Sequence, residues 1–111
     1  PTGLFKQLVA STGAAFAALR TVLTGGEKVS VKHVNKLLDA CPELALLHVY
    51  GPTENTTFSS WHRIESPQVG TVPIGRAIAH SSLFVLDGAR RPLPPGFPGE
   101  IVCGGAGLAR G

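Results

Sequence analysis

The chain has 111 residues and a formal net charge of +3, which is enough sequence for one hydrophobic core and hardly two. Its ten lysine and arginine residues are scattered instead of forming a basic stripe, so we expect no nucleic-acid partner. No apolar run approaches the roughly 20 residues that cross a bilayer, so we expect no membrane partner. The two cysteines, Cys41 and Cys103, lie far apart, which favours reduced thiols in a cytoplasmic protein.

Charge is sparse along the whole chain. Charged residues make up 15% of it, well below the share of about a quarter found in soluble domains. The chain also begins at Pro1 and contains no methionine. We therefore expect an excerpt of a larger protein, whose apolar faces pack against the other parts of that protein.

Three stretches have the residue pattern of helices. Residues 2–9 place apolar side chains on one face, and residues 14–18, after Gly13, form a second, alanine-rich patch. Ser30 is an N-cap candidate for a clearer helix with helical apolar spacing, which ends at Cys41-Pro42. These segments predict packing helices.

Two stretches in the same half predict strands. Residues 20–24 are a β-branched run that ends at Gly25-Gly26, and residues 44–49 are an apolar run interrupted only by His48. A strand, a helix and a second strand in succession imply a right-handed parallel crossover. The first part of the chain therefore predicts a partial flavodoxin-like or Rossmann-like α/β layer.

The pattern changes near residue 65, where proline and glycine begin to punctuate short β-rich runs. Residues 72–74, 83–87 and 100–103 predict short strands joined by turns, as in a small, distorted barrel. We therefore predict two subdomain portions, an α/β portion over residues 1–65 and a β-rich portion over residues 66–111.

The loop with the most candidate ligand-binding residues follows the second predicted strand. It runs from Tyr50 to Phe58 with the sequence Tyr-Gly-Pro-Thr-Glu-Asn-Thr-Thr-Phe. Ligands of parallel α/β sheets bind beyond the carboxyl ends of the strands. An aromatic ring can stack on a base, a threonine hydroxyl can bind phosphate and a carboxylate can hold Mg²⁺. These residue types suit a nucleoside triphosphate. The alternative is a rigid turn whose polar side chains cap a following helix.

Four segments in order resemble the adenylate-forming superfamily, which contains acyl-CoA ligases, luciferases and amino-acid-activating domains. The segments are Leu23–Glu27, Tyr50–Glu54, Val72–Arg76 and Gly99–Gly111. The longer loop and the Gly-Leu-Ala-Arg-Gly ending look like the adenylation domains of nonribosomal peptide synthetases. The chain is accordingly identified as an internal piece of such a domain.

The resemblance implies nucleotide-binding roles. Tyr50 would stack on adenine, and Thr53 would act on the α-phosphate as a catalytic residue. Glu54 would be catalytic as the ligand of Mg²⁺ between the phosphates. His48 would border the adenine amino group, although many family members carry asparagine there and a packed histidine is the alternative. The remaining implied nucleotide-binding residues are Gly25, Gly26, Glu27, Gly51 and Pro52.

The same resemblance implies a substrate pocket formed by Val22, Thr24, Val49, Thr57 and Phe58. Since residues two apart on a strand share a face, Val22 and Thr24 are expected on one wall and Leu23 on the other side. The pocket contains no charged residue, so we expect an uncharged, aliphatic amino acid as the substrate.

The implied reaction condenses an amino acid with ATP to an aminoacyl adenylate, releases pyrophosphate, and passes the aminoacyl group to the phosphopantetheine thiol of a carrier protein. The 111 residues alone are expected to be inactive, because the phosphate loop and the catalytic lysine lie in the remaining adenylation subdomains. Two alternatives stay open. One is an acyl- or aryl-acid CoA ligase of the same superfamily, and the other is a noncatalytic α/β interaction module.

Overall fold

The computed structural model describes residues 2–11 and 16–110. Two helices and six strands follow one another in these residues. The helices are α1 (Thr2–Ser11) and α2 (Val31–Ala40). The strands are β1 (Thr21–Gly25), β2 (Ala45–Tyr50), β3 (Ser60–Ile64), β4 (Arg76–Ala77), β5 (Ser81–Leu86) and β6 (Glu100–Gly105).

Both helices form where helical apolar spacing predicts them. Ser30 occupies the N-cap position of α2, but its hydroxyl lies 2.8 Å from Nδ1 of His33 and makes no cap bond. Of the predicted patch over residues 14–18, residues 14 and 15 lie outside the described part, and residues 16–18 form a turn. Neither described helix has the length and hydropathy to cross a membrane.

The core lies between the helices and one face of the first sheet. Apolar side chains of α1 and α2 pack there against side chains of β1, β2 and β3, and Val34 and Leu46 are fully buried. The cluster contains Phe5, Val9, Phe16, Val29, Val34, Leu37, Leu44, Leu46, Ile64 and Val72. Burying these side chains is the main force that holds α2 on the sheet.

The predicted parallel pairing of β1 with β2 is confirmed. Thr24 pairs with His48 and Gly25 with Val49, so both strands end at the same edge of the sheet. The helix α2 connects the two strands in the sequence. The α/β class predicted from the sequence is therefore correct.

Two strands of this sheet are not predicted by the sequence. β3 pairs antiparallel with β2, and the two-residue β4 pairs with β3. β3 escapes prediction because its buried Ser60 is polar, its exposed Trp61 is apolar, and two more polar residues precede Ile64. β4 lies after residue 65, but its partner β3 lies before that residue. The division of the chain at residue 65 stays a prediction.

The predicted strand over residues 72–74 is wrong. These residues run without strand pairing, and two of their carbonyl oxygens accept hydrogen bonds from side chains of the sheet. Nδ1 of His48 lies 2.8 Å from the Pro73 oxygen, and the Ser60 hydroxyl donates to the Ile74 oxygen over 2.7 Å. Side chains therefore take the place of a neighbouring strand.

The second sheet is an antiparallel ribbon of β5 and β6, in register from Ser81 opposite Gly105 to Leu86 opposite Glu100. The ends of both strands lie within two residues of the predicted bounds, 83–87 and 100–103. In the described residues this sheet has two strands, so it is an open ribbon and not a closed barrel. Phe84 and Ile101 are among its exposed apolar side chains.

Candidate active site

The carboxyl ends of β1 and β2 meet at one edge of the first sheet, where a loop follows each strand. The loop after β2 runs from Tyr50 to Phe58 and is closed at its base by the Ser59 amide, which donates to the Tyr50 carbonyl over 2.7 Å. A short 3-10 turn, Thr53–Asn55, forms its tip. The loop therefore occupies the position where sheets of this class bind ligands.

A first cavity of about 450 Å³ opens at this edge, within the size range of small-molecule sites. The half-buried ring of Tyr50 and the buried ring of His48 both contribute to it. Its lining residues are Gly26, Glu27, Lys28, Val29, His48, Val49, Tyr50, Gly51, Pro52, Thr71, Val72 and Ile74. The aromatic Tyr50, the acidic Glu27 and the basic Lys28 thus line one largely apolar space.

The ring of His48 is oriented by its neighbour across the cavity. A carbonyl oxygen only accepts hydrogen bonds, so the 2.8 Å contact with Pro73 requires that His48 Nδ1 carries the hydrogen. In the neutral ring, Nε2 is then the acceptor. This bond also holds the 71–74 segment against the cavity.

A second cavity, of about 310 Å³, borders the first. The two share Gly26, Val49 and Gly51. The second is lined by Leu23, Gly25, Gly26, Val49, Gly51, Thr57 and Phe58, and none of these side chains carries a charge. A Cβ at Gly25 would collide with the Val49 carbonyl oxygen, so only glycine lets β1 approach β2 here.

The side chains of Val22 and Thr24 do not reach this second cavity. Val22 packs against the hydrophobic core, and Thr24 is 4% exposed. The alternation along β1 is as predicted, but the strand is turned so that Leu23 lies on the cavity side. Successive side chains on a strand point to opposite faces, so Val22 and Thr24 lie on the core side and Leu23 lies on the other.

Thr53 and Glu54 are exposed at the tip of the loop and line neither cavity. In the part of the chain that the structure describes, the Glu54 carboxylate forms no ion pair, and no group of three metal-ligating side chains occurs. Mg²⁺ commonly binds one carboxylate together with substrate phosphates. An exposed carboxylate two residues after Pro52, which lines the first cavity, fits that mode.

The structure thus places the expected residues in two groups. The first cavity receives Gly26, Glu27, His48, Tyr50, Gly51 and Pro52, and the second receives Gly25, Val49, Thr57 and Phe58. Sequence reasoning missed Leu23 as a wall residue. It also missed Val72 and Ile74, although they belong to the Val-Pro-Ile-Gly-Arg segment, whose position beside the cavity was not apparent.

Comparison with known proteins gives a consistent result. The family model of the AMP-binding enzymes matches residues 2–111. Tyrocidine synthase 3 of Brevibacillus parabrevis is 46% identical over 108 residues, which cover 97% of this chain and 2% of that protein. Surfactin synthase subunit 2 of Bacillus subtilis is 42% identical over 108 residues, 97% of this chain and 3% of that protein. The chain therefore spans a few per cent of the length of these relatives.

Solved structures resemble the chain over nearly its whole length. PA1221, a nonribosomal peptide synthetase protein with adenylation and PCP domains, is 41% identical with a TM-score of 0.94 over 99% of this chain and 20% of its own. The N-terminal subdomain of Klebsiella oxytoca NpsA, in complex with anthranilyl-AMSN, is 26% identical with a TM-score of 0.89 over 99% of this chain and 28% of its own. The chain therefore belongs to the AMP-binding enzyme family, and the relatives it resembles are peptide synthetases.

Proposed function

We propose that the chain contributes to a site where an amino acid and ATP are condensed to an aminoacyl adenylate, with release of pyrophosphate. The observation that carries this proposal is the pair of adjoining cavities at the ends of β1 and β2. One cavity presents an aromatic ring and polar groups, and the other is uncharged. A nucleotide in the first and an amino-acid side chain in the second would bring the two reacting groups together.

The nucleotide would bind in the first cavity. Tyr50 would stack on adenine, because its ring is half-buried and faces the cavity. Gly26 and Glu27 would line another edge of the base, and His48 would border its amino group. Gly51 and Pro52 would fix the loop close to the nucleotide.

Catalysis at the phosphates would come from the tip of the loop. The Thr53 hydroxyl would donate to the α-phosphate, and the Glu54 carboxylate would hold Mg²⁺. The bound ion would neutralise charge on the phosphates during attack by the amino-acid carboxylate. No side chain needs to form a covalent intermediate, so positioning and charge stabilisation account for the chain's contribution.

The amino-acid side chain would occupy the second cavity, against Leu23, Val49, Thr57 and Phe58. A charged side chain would lose its hydration there without gaining a partner, which is costly. We therefore propose an uncharged, aliphatic substrate.

The aminoacyl group would then pass to the phosphopantetheine thiol of a carrier domain. The presence of adenylation and PCP domains in PA1221 supports such a partner. The remaining subdomains of the adenylation domain would complete the site. In the described part of the chain, neither Cys41 nor Cys103 forms a disulfide, in keeping with the cytoplasmic location that we propose.

Amino-acid-dependent exchange of pyrophosphate into ATP, measured with the complete protein that contains this chain, tests the proposal. We expect exchange with one or a few aliphatic amino acids and none with lysine, arginine, aspartate or glutamate. Exchange that responds only to charged amino acids would refute the proposed substrate class. The isolated 111 residues should show no exchange at catalytic concentrations.

A second candidate is an acyl- or aryl-acid ligase. The complex of NpsA with anthranilyl-AMSN favours it, since an uncharged cavity can also hold an aromatic ring. Exchange that requires an aryl or fatty acid, followed by product transfer to coenzyme A, would replace the first proposal. A complete protein that binds no ATP in the presence of Mg²⁺ would instead indicate a noncatalytic interaction module.

A further inference from the structure

The segment that follows β6, residues 105–109, contacts the loop that carries the second cavity. The Thr56 hydroxyl donates to the Gly107 carbonyl oxygen over 2.6 Å. The Ala109 amide donates to the Glu54 carbonyl oxygen over 2.7 Å. The segment belongs to the Gly99–Gly111 motif, and it lines neither cavity.

The loop needs such support because its backbone is strained. Thr56 and Thr57 both have positive φ angles, of 45° and 68°, although neither is glycine. A β-branched residue adopts this conformation only where surrounding contacts hold it. The amide of Phe58 donates to the Thr56 carbonyl over 2.8 Å, so the strained pair leads directly into the wall of the second cavity.

The two elements are also closely packed. Asn55 is 1% exposed, and its Nδ2 donates to the Ser59 hydroxyl over 2.8 Å. A Cβ at Gly107 would lie 2.9 Å from Asn55 Oδ1, which is closer than ordinary van der Waals contact. A side chain at position 107 would therefore require the buried Asn55 side chain to shift.

The other end of the segment is fixed to the β5–β6 ribbon. Gly105 pairs with Ser81 at the end of the ribbon, and the Ala106 amide donates to the His80 carbonyl over 2.9 Å. The ribbon thus determines where the Gly107 carbonyl stands. The position of that carbonyl in turn determines where it holds Thr56.

We propose that Thr56 is a positioning residue for amino-acid selection, because its hydroxyl holds the Thr57–Phe58 wall in place through Gly107. The inference rests on the proposed function of the second cavity. Thr56 itself lines neither cavity. Loss of its hydrogen bond should therefore change recognition of the amino acid while leaving the adenine contacts of Tyr50 intact.

Thr56→Val and Thr56→Ser separate the hydroxyl from the shape of the side chain. Valine keeps the branched shape without the hydroxyl, and serine keeps the hydroxyl. In pyrophosphate exchange by the complete protein, Thr56→Val should raise KM for the amino acid about fivefold, the change expected for one ordinary hydrogen bond, with KM for ATP changed less than about twofold. Thr56→Ser should retain both wild-type KM values.

Gly107→Ala disturbs the same contact from the segment after β6. It should likewise raise KM for the amino acid more than KM for ATP. Wild-type KM values in Thr56→Val, or an equal rise for both substrates, would overturn the inference. Equal impairment of Thr56→Ser and Thr56→Val would do the same, because the hydroxyl would then be irrelevant.

Hydrogen–deuterium exchange tests Thr56 independently of catalysis. If no amino acid supports pyrophosphate exchange by the unsubstituted complete protein, the proposed function fails. Hydrogen–deuterium exchange can still report whether Thr56 holds the loop. Amides of residues 54–59 should exchange about fivefold faster in Thr56→Val than in wild type, and at the wild-type rate in Thr56→Ser. Unchanged exchange in Thr56→Val would show that the hydroxyl does not hold the loop.

Discussion

His48 donates a hydrogen bond from Nδ1 to the carbonyl oxygen of Pro73 over 2.8 Å, and this bond joins the end of β2 to the segment on the opposite side of the first cavity. His48 is 5% exposed. The residue that was expected to border adenine is therefore also a structural link between two walls of the candidate nucleotide site.

Substitution of His48 should affect ATP binding through this link. An asparagine amide can place its nitrogen near the position of Nδ1, whereas a glutamine amide reaches the position of Nε2. We expect His48→Asn to keep KM for ATP within about threefold of wild type, and His48→Gln to raise it about tenfold, since a buried carbonyl would lose its donor. Steady-state pyrophosphate exchange at varied ATP concentration measures both values. Equal KM values for the two variants would contradict this role.

Leu23 and its neighbour Val22 give a matched test of which face of β1 meets the substrate. Leu23→Ala enlarges the second cavity, so kcat/KM for the preferred amino acid should fall about tenfold and preference should move to a bulkier side chain. Val22→Ala removes packing from the core and should lower the free energy of unfolding by about 1–2 kcal/mol, with the ranking of amino acids unchanged.

The result that would contradict this assignment is a changed ranking in Val22→Ala together with an unchanged ranking in Leu23→Ala. Exchange assays with a panel of amino acids, combined with denaturant unfolding of each variant, give both readings. The unfolding data show whether either variant has lost its fold.

The strands that sequence reasoning predicted are those with strong local patterns. The apolar run of β2 and the β-branched run of β1 are recognisable in the local sequence. The helix between them makes parallel pairing of the two strands the expected arrangement. The loop from Tyr50 to Phe58 then lies at the strand ends as a consequence of topology. These features of the site can therefore be predicted from the amino-acid sequence.

Other features depend on contacts between distant residues. β3 is polar at three of its five positions, and it forms because β2 offers it hydrogen bonds along its free edge. Residues 72–74 have the composition of a strand, but His48 and Ser60 occupy two of their carbonyl groups. Likewise, the face of β1 that meets the cavity depends on which of its side chains pack in the hydrophobic core, which periodicity alone does not reveal.

Glu54 should be required for the response to magnesium. Glu54→Gln removes the charge and keeps the shape, so we expect the Mg²⁺ concentration for half-maximal exchange to rise about tenfold or more. Glu65→Gln is a suitable control. Glu65 is 73% exposed and pairs with Arg63 at 3.3 Å, and surface pairs of this kind contribute little. An unchanged magnesium requirement in Glu54→Gln would remove this residue from the metal site.

Asp87 should stabilise the turn after β5 in a pH-dependent manner. Its carboxylate accepts hydrogen bonds from the amides of Ala89 and Arg91 and from the Arg91 side chain, over 2.8 to 2.9 Å. The Arg91 amide is the largest cause that holds the pKa of Asp87 below its ordinary value of 3.8. Because the pKa is lowered on folding, the stabilisation is fully present above 3.8 and is lost as the pH falls through the folded value.

Asp87→Asn should therefore have a lower Tm than wild type at pH 7, and the difference should shrink as the pH is lowered below 3.8. Asp39→Asn is the control, since Asp39 is an exposed residue at the end of α2, where a negative charge is unfavourable. It should not lower Tm. A difference between Asp87→Asn and wild type that persists unchanged in acid would show that ionisation of Asp87 is not its source.

The most direct test of the nucleotide site is the effect of Tyr50 on the affinity for ATP in the complete protein. Tyr50→Ala should raise KM for ATP about tenfold or more, because stacking of a base on an aromatic ring is lost. Tyr50→Phe should stay near wild type, and so should Trp61→Ala, which removes an exposed aromatic side chain from β3. If Tyr50→Ala binds and uses ATP as well as wild type does, adenine does not stack on this ring, and the assignment of the first cavity to the nucleotide is wrong.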